Sequence, residues 1–185
     1  KKLLLQFDVI VAVSENTKRD LMELLNIAEE KIIVIYSGLN RNAIFDNDEA
    51  KIEFVKNKYG LPDSYFLFLG NLEPRKNIEN VIVAYDKFVD TYPKYSDYGL
   101  VLAGDRGRRY DSIFSTLKRS RNKNKINLVG YVDDQDKSVF YQQAKIFLFP
   151  SFYEGFGFPV LEAMANGTPV ITSANSSLPE IAQNA

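Results

Sequence analysis

Seven short apolar runs punctuate this chain, and each is continuous rather than alternating in polarity. They are DVIVAV (8–13), KIIVIY (31–36), YFLFLG (65–70), GLVLAG (99–104), KINLVG (125–130), KIFLFP (145–150) and PVITS (169–173). A strand with one wet face alternates polar and apolar residues. A run that is apolar throughout reads as a strand buried on both faces, the situation of a parallel sheet covered by helices above and below. The intervening segments 17–25, 77–91, 110–120, 134–143 and 159–166 each have the length of a crossover helix. The alternation predicts an α/β fold with a doubly wound parallel sheet, whose ligands lie in the crevice at the carboxyl ends of the strands. Gly70, Gly104, Gly130 and Pro150 end four of the runs, which puts turn-forming residues where a ligand is expected.

At 185 residues the chain has the length of about one domain. After Tyr36 the composition turns polar, and SGLNRNAIFDNDEA (37–50) reads as a linker, so residues 1–36 belong to a different unit from 37–185. With 23 basic against 24 acidic residues there is no overall field to attract a polyanion, and nucleic acid is not an expected partner. Cysteine and histidine are both absent, which removes thiol nucleophiles, imidazole bases and the commonest metal ligands together. Chemistry here falls to carboxylates, lysine, arginine, hydroxyls and backbone. No apolar run approaches the ~20 residues that span a bilayer, and KKLLLQF lacks the flank of a signal peptide, which together read as a cytoplasmic chain.

The stretch EGFGFPVLE (154–162) sets two carboxylates around a turn suited to an anion. Pro159 fits the first turn of a helix beginning near Phe158, because its missing N–H would be unpaired there anyway. Gly155 and Gly157 allow close backbone approach, and the free N–H groups with the helix dipole make a phosphate site. Two glutamates would repel a bare phosphate, yet each is a strong acceptor for hydroxyls. A ligand with phosphates in the middle and hydroxyls at both ends resolves the conflict, and a nucleoside diphosphate sugar has that layout. In the second strand-loop-helix unit, Arg75 and Lys76 lie between Gly70 and a helix starting near Asn77, positioned to neutralise a departing diphosphate. Alone, that pair reads as solvated loop charge, and the glutamates alone read as surface acids beside a glycine turn. Jointly, on one face of the expected fold, they favour function.

GNLEPRKN, LVLAGDRG, INLVGYV and PSFYEGFGFPVLEAMANGTPVITSANSSLPEI resemble the donor-binding domain of retaining GT-B glycosyltransferases of family 4, across nearly the whole chain. That family's mark is a pair of glutamates separated by seven residues, matched by Glu154 and Glu162. The resemblance implies a Rossmann-like domain, the C-terminal half of a GT-B enzyme, acting without metal or other cofactor on a nucleoside diphosphate sugar. It implies that Glu162 binds the ribose and Glu154 the transferred sugar, with Gly155, Phe156 and Gly157 along sugar and diphosphate. Arg75 and Lys76 hold the diphosphate and form the catalytic set with Glu154, while Val132 meets the base through its backbone. Gly70, Asn71 and Gly104 border the donor. Many relatives carry arginine where this chain has Asn71, so the cationic load rests more on Arg75 and Lys76. FDVIVAVSENTKRDL resembles the last strand-helix unit of the acceptor domain, making residues 1–36 a remnant of it. A chain limited to these parts is expected to bind donor without turning it over, the glycan or lipid-linked acceptor being held by the other domain. A nucleotide-sugar-binding module, or a related GT-B enzyme such as a sugar-nucleotide epimerase, remains the alternative. Sugar and base stay open.

Three further signals have blander readings. The D-x-D within DDQD (133–136) suggests a metal in another glycosyltransferase fold, but before a helix Asp133 or Asp134 is expected to cap it. LKRSRNKNK (117–125) reads as helix-end cations, with peripheral contact to anionic lipid as the functional alternative. The glycines of GDRG (104–107) shape a turn rather than a nucleotide fingerprint.

Overall fold

A computed structural model describes residues 3–39 and 48–183. Its elements follow the expected alternation: β1 (Ile10–Ala12), α1 (Glu15–Leu25), β2 (Ile32–Val34), α2 (Glu49–Tyr59), β3 (Tyr65–Leu69), α3 (Ile78–Thr91), β4 (Gly99–Ala103), α4 (Asp111–Arg119), β5 (Ile126–Gly130), α5 (Lys137–Gln143), β6 (Ile146–Phe149), α6 (Phe158–Ala165), β7 (Val170–Thr172) and α7 (Leu178–Ala182). The strands form two parallel sheets, a pair β1-β2 and a five-stranded sheet of order β5-β4-β3-β6-β7. All seven apolar runs contain a strand, and α6 starts at Phe158 as Pro159 implies.

The five-stranded sheet is buried on both faces at its centre. All five residues of β3 and all five of β4 are buried. Tyr65 sends its hydroxyl to the Phe140 carbonyl of α5 at 2.9 Å, while Phe66 packs edge-on against Tyr85 and Phe88 of α3. Successive β3 side chains therefore meet helices on opposite faces, as the pleat requires. Helix α3 answers with Ile78, Val81, Ile82, Tyr85 and Val89, a stripe at helical spacing.

The continuous-run rule fails for β1 and β2. Their shared core is small, Ala12, Ile27 and Ile32, and Val11 and Ile33 are 56% and 50% exposed. Among the described residues one face of this pair is covered by α1 and the other has no layer. The linker reading of 37–50 also needs correction at its end: residues 40–47 lie outside the described residues, but Glu49 and Ala50 open α2. Asp48 caps that helix, accepting from the Ala50 and Lys51 amides, and Gly60 in the left-handed region ends it. Its polar composition hid it, because Val55 alone of its eleven residues is buried. A short α7 was likewise not expected.

Candidate functional site

Strand order positions the site. The chain runs outward from β3 through β4 to β5, then returns to lay β6 on the other side of β3, so the crevice opens where β3 and β6 diverge. The loops leaving these two strands carry the charged residues singled out above. After β3, Gly70 (φ 150) turns the chain, and residues Pro74–Lys76 form a 3-10 turn closed by Asn77 in the left-handed region. After β6 the chain passes through Pro150 and the glycine loop into α6, with Gly157 at φ 115 as its N-cap.

There the structure brings Arg75, Lys76 and Glu154 together. Lys76 Nζ lies 2.6 Å from Glu154 Oε1, and Arg75 Nη1 lies 3.1 Å from Oε2. Arg75 also donates to the Tyr153 carbonyl, and the Phe152 amide donates to the Arg75 carbonyl at 2.9 Å. Lys76 is buried, with its ammonium 4.7 Å from the centre of the Phe149 ring. Burial alone would push the Glu154 carboxyl up, but the bond from Lys76 and the charges of Lys76 and Arg75 outweigh it and hold the group below its ordinary value. Glu154 is thus an ionised, buried carboxylate. Arg75, 44% exposed at its side chain, keeps donors toward solvent.

Glu162 stands one turn into α6. Its Oε2 accepts from the Tyr141 hydroxyl at 2.7 Å, and burial, then Glu162 itself, push that phenol well above its ordinary value, so it stays a donor. One carboxylate oxygen is thereby oriented.

The glycines divide by role. A Cβ on Gly104 (φ 134) would lie 2.1 Å from the Gly70 carbonyl oxygen, so the ends of β3 and β4 approach closely only because residue 104 is glycine. Past them the Leu72 amide bonds Asp105 O at 2.8 Å and the Gly107 amide bonds Leu72 O at 3.1 Å, so GDRG shapes a turn pinned to the β3 loop. Gly157 meets Leu178 at 2.9 Å from a would-be Cβ, whereas Gly155 faces open space. Phe156 is buried, 5.0 Å from Phe158 ring to ring. Asn71 follows Gly70 at the β3 end. Val132 buries its side chain in the main core just after β5. Beside the β4 and β5 ends a groove of about 610 Å³ is lined by Leu72, Gly104, Arg106, Tyr110, Leu128 and Gly130, with the Arg106 guanidinium 5.2 Å above the Tyr110 ring.

One expectation is corrected. Asp133 and Asp134 do not cap α5: Asp133 and Asp136 both bind Lys58 of α2, at 2.6 and 2.8 Å, and Asp134 pairs with Lys137. A cation in direct hydrogen-bonding contact outcompetes a helix amide for a carboxylate. The 117–125 cations are partly engaged within the fold, Arg121 with Asp90 and Lys125 with the Ser96 carbonyl. Among the described residues no helix is long and apolar enough to cross a membrane.

Several partners were missed from sequence. The Ser176 hydroxyl accepts from the Glu154 amide at 3.0 Å, and Ser177 Oγ lies 2.9 Å from the Glu154 carbonyl and 2.6 Å from that of Phe156. The pair Ser-Ser before Leu-Pro carried a helix-start signal but not a partner. Tyr141 belongs to the main core, apart from its hydroxyl.

A doubly wound sheet with a cationic loop and a glycine loop meeting at the switch point defines an α/β domain of the Rossmann-like class. The chain belongs to the family described as glycosyl transferases group 1, which residues 49–185 match. It is 35% identical over 179 residues to O-antigen chain mannosyltransferase B of Escherichia coli, covering 96% of this chain and 46% of that protein. It is 30% identical to O-antigen chain mannosyltransferase RfbU of Salmonella typhimurium, covering 89% of this chain and 41% of that protein. The chain thus spans less than half the length of these curated relatives. Among solved structures it is similar to a glycosyltransferase from Rickettsia africae (TM-score 0.81, 25% identity, 96% of this chain and 47% of that one). The GT-B fold is shared with Anabaena HepE, solved in complex with UDP-glucose (TM-score 0.80, 20% identity, 97% and 48%).

Proposed function

We propose that this chain is the donor-binding half of a retaining family 4 glycosyltransferase that moves a sugar from a nucleoside diphosphate sugar to a glycan or lipid-linked acceptor. The observation that carries the reading is the convergence of Arg75, Lys76 and Glu154 at the switch point, beside the N-terminus of α6. Without ligand, the Glu154 carboxylate pairs with both cations. An arriving diphosphate offers Arg75 and Lys76 other oxygens, and Glu154 is released to accept hydroxyls of the transferred sugar. As the sugar–oxygen bond breaks, charge grows on the diphosphate, where the two cations and the helix N-terminus stabilise it. Glu162, oriented by Tyr141, takes the ribose hydroxyls. The main chain at Val132 meets the base, and Gly70, Asn71 and Gly104 border the donor. No step calls on a metal.

Mannosyltransferases among the relatives support mannose as the sugar, and the UDP-glucose complex of HepE supports a nucleotide carrier. Residues 1–36 are read as a remnant of the acceptor domain, in keeping with the separate two-stranded sheet, and 37–185 as the donor domain. On that division the chain alone binds donor without turnover. A thermal-shift titration with GDP, UDP and dTDP, free of metal, tests the reading on the wild type and on Glu162→Ala. Ligand at about a hundredfold its dissociation constant adds ~2.7 kcal/mol. One nucleotide is expected to raise the wild-type Tm by several degrees and the variant's far less. No shift from any of the three in a folded sample would refute it.

A further inference from the structure

The glycine loop is gripped from a part of the chain far away in sequence. The Gly155 carbonyl accepts from two hydroxyls at the start of α1, Ser14 Oγ at 2.9 Å and Thr17 Oγ1 at 3.2 Å. Ser14 is fully buried, and its oxygen also accepts the Thr17 amide at 3.0 Å, capping the helix. Glu180 of α7 holds the same helix end, accepting the Glu15 amide at 2.8 Å and the Asn16 amide at 2.7 Å. A carboxylate is favoured at that positive end of the helix dipole. Tyr36 donates to Glu180 at 3.2 Å with its ring 6.4 Å from that of Phe156, and the Tyr153 hydroxyl reaches Asp20.

These bonds matter because little else restrains the loop at this point. Gly155 has no side chain and nothing within 4 Å of where one would begin, so packing does not select its orientation. A trans peptide is planar, with its C=O and N–H pointing in opposite directions. Holding the Gly155 carbonyl on α1 therefore turns the Phe156 N–H away from α1. Ser176 and Ser177 fix the neighbouring Glu154 and Phe156 groups from the other side but leave the Gly155 carbonyl to α1.

We propose that Ser14 and Thr17 are positioning residues for the donor: they set the 155–156 peptide so that its N–H faces the diphosphate, and Glu180 keeps α1 in place to do so. The inference rests on the donor reading given above. It makes the 3–39 unit part of the donor site's geometry.

The test compares Thr17→Val with Thr17→Ser, which differ in the hydroxyl's presence, and adds Ser14→Ala. Affinities of the full chain for GDP, UDP and dTDP, and for GMP, UMP and dTMP, are measured by calorimetry, with hydrogen exchange followed across residues 154–158. Thr17→Val and Ser14→Ala are expected to weaken the diphosphate that binds wild type about fivefold, the scale of one lost hydrogen bond. The matching monophosphate is expected to bind as before, exchange in the loop to rise, and Thr17→Ser to behave as wild type. Should Ser14→Ala fail to fold, the Thr17 pair decides. Unchanged diphosphate affinity in Thr17→Val, or equal loss for mono- and diphosphate, overturns the positioning role while leaving the donor site standing. A wild type that binds none of the three diphosphates overturns the donor reading and this inference with it.

Discussion

The two parallel sheets of this protein are written in the same sequence idiom and stabilised to very different degrees. KIIVIY and YFLFLG are both continuous apolar runs, yet β3 is buried along its whole length whereas Ile33 and Ile35 of the former stand half exposed. The difference is in what covers each sheet. Around β3, α3 closes one face and α5 the other, while among the described residues β1 and β2 rest on α1 by one face only. A run's composition states what burial it is compatible with, and the neighbouring layers determine what burial it receives.

The contrast is broken most forcefully from the main sheet. Phe68→Ala empties a fully buried position and is expected to cost about 3–5 kcal/mol, read as a Tm lower by roughly 10 °C. A loss as small as that of a surface substitution would mean that the two-layer cover is far looser than described. Next comes Gly104→Ala, where the new Cβ collides with the Gly70 carbonyl and the backbone sits at φ 134. The conformation alone costs about 1–3 kcal/mol, and chemical denaturation should register at least that much. Tolerance of alanine there would refute the close approach of the two strand ends.

A smaller effect distinguishes the site from both sheets. Glu154→Gln leaves Lys76 without its carboxylate in a nearly buried position, and allowing for partial exposure the cost is about 1–2 kcal/mol at neutral pH. Because the folded-state pKa of Glu154 lies below its ordinary 4.5, its contribution is complete above that value and is lost as pH falls through the lower folded one. The stability gap between wild type and Glu154→Gln should therefore be full at pH 7 and close progressively below about pH 4.5. A gap that persists undiminished into acid would assign the effect to packing. Smallest of all, Val11→Thr on the open face of β1 is expected to change stability by less than about 0.5 kcal/mol. A large loss there would reveal a layer over that face.

Much of the site was legible in the residues themselves. Glycine, proline and two acids within nine positions announced a turn into a helix, and Arg75 and Lys76 at a strand-loop-helix junction announced cations facing a crevice. What could not be read was that the first acid and both cations form one cluster: Glu154 and Lys76 are 78 positions apart, and nothing in either segment names the other. The error at Asp133 has the same origin. Helix-cap logic is local, and it lost to Lys58, a cation delivered by a helix that the polar sequence after Tyr36 concealed.

By itself, then, the sequence determined the alternating α/β order, the strand positions, the start of α6 and the residue types able to meet an anion. These depend on period, branching and backbone freedom, which act over a few residues. Only the tertiary structure decided that β6 lies beside β3, that Lys76 and Arg75 hold Glu154, and that α1 clasps the glycine loop through Ser14 and Thr17. Those contacts join residues far apart in the chain, and strand order, which no local pattern encodes, is what brings them within bonding distance.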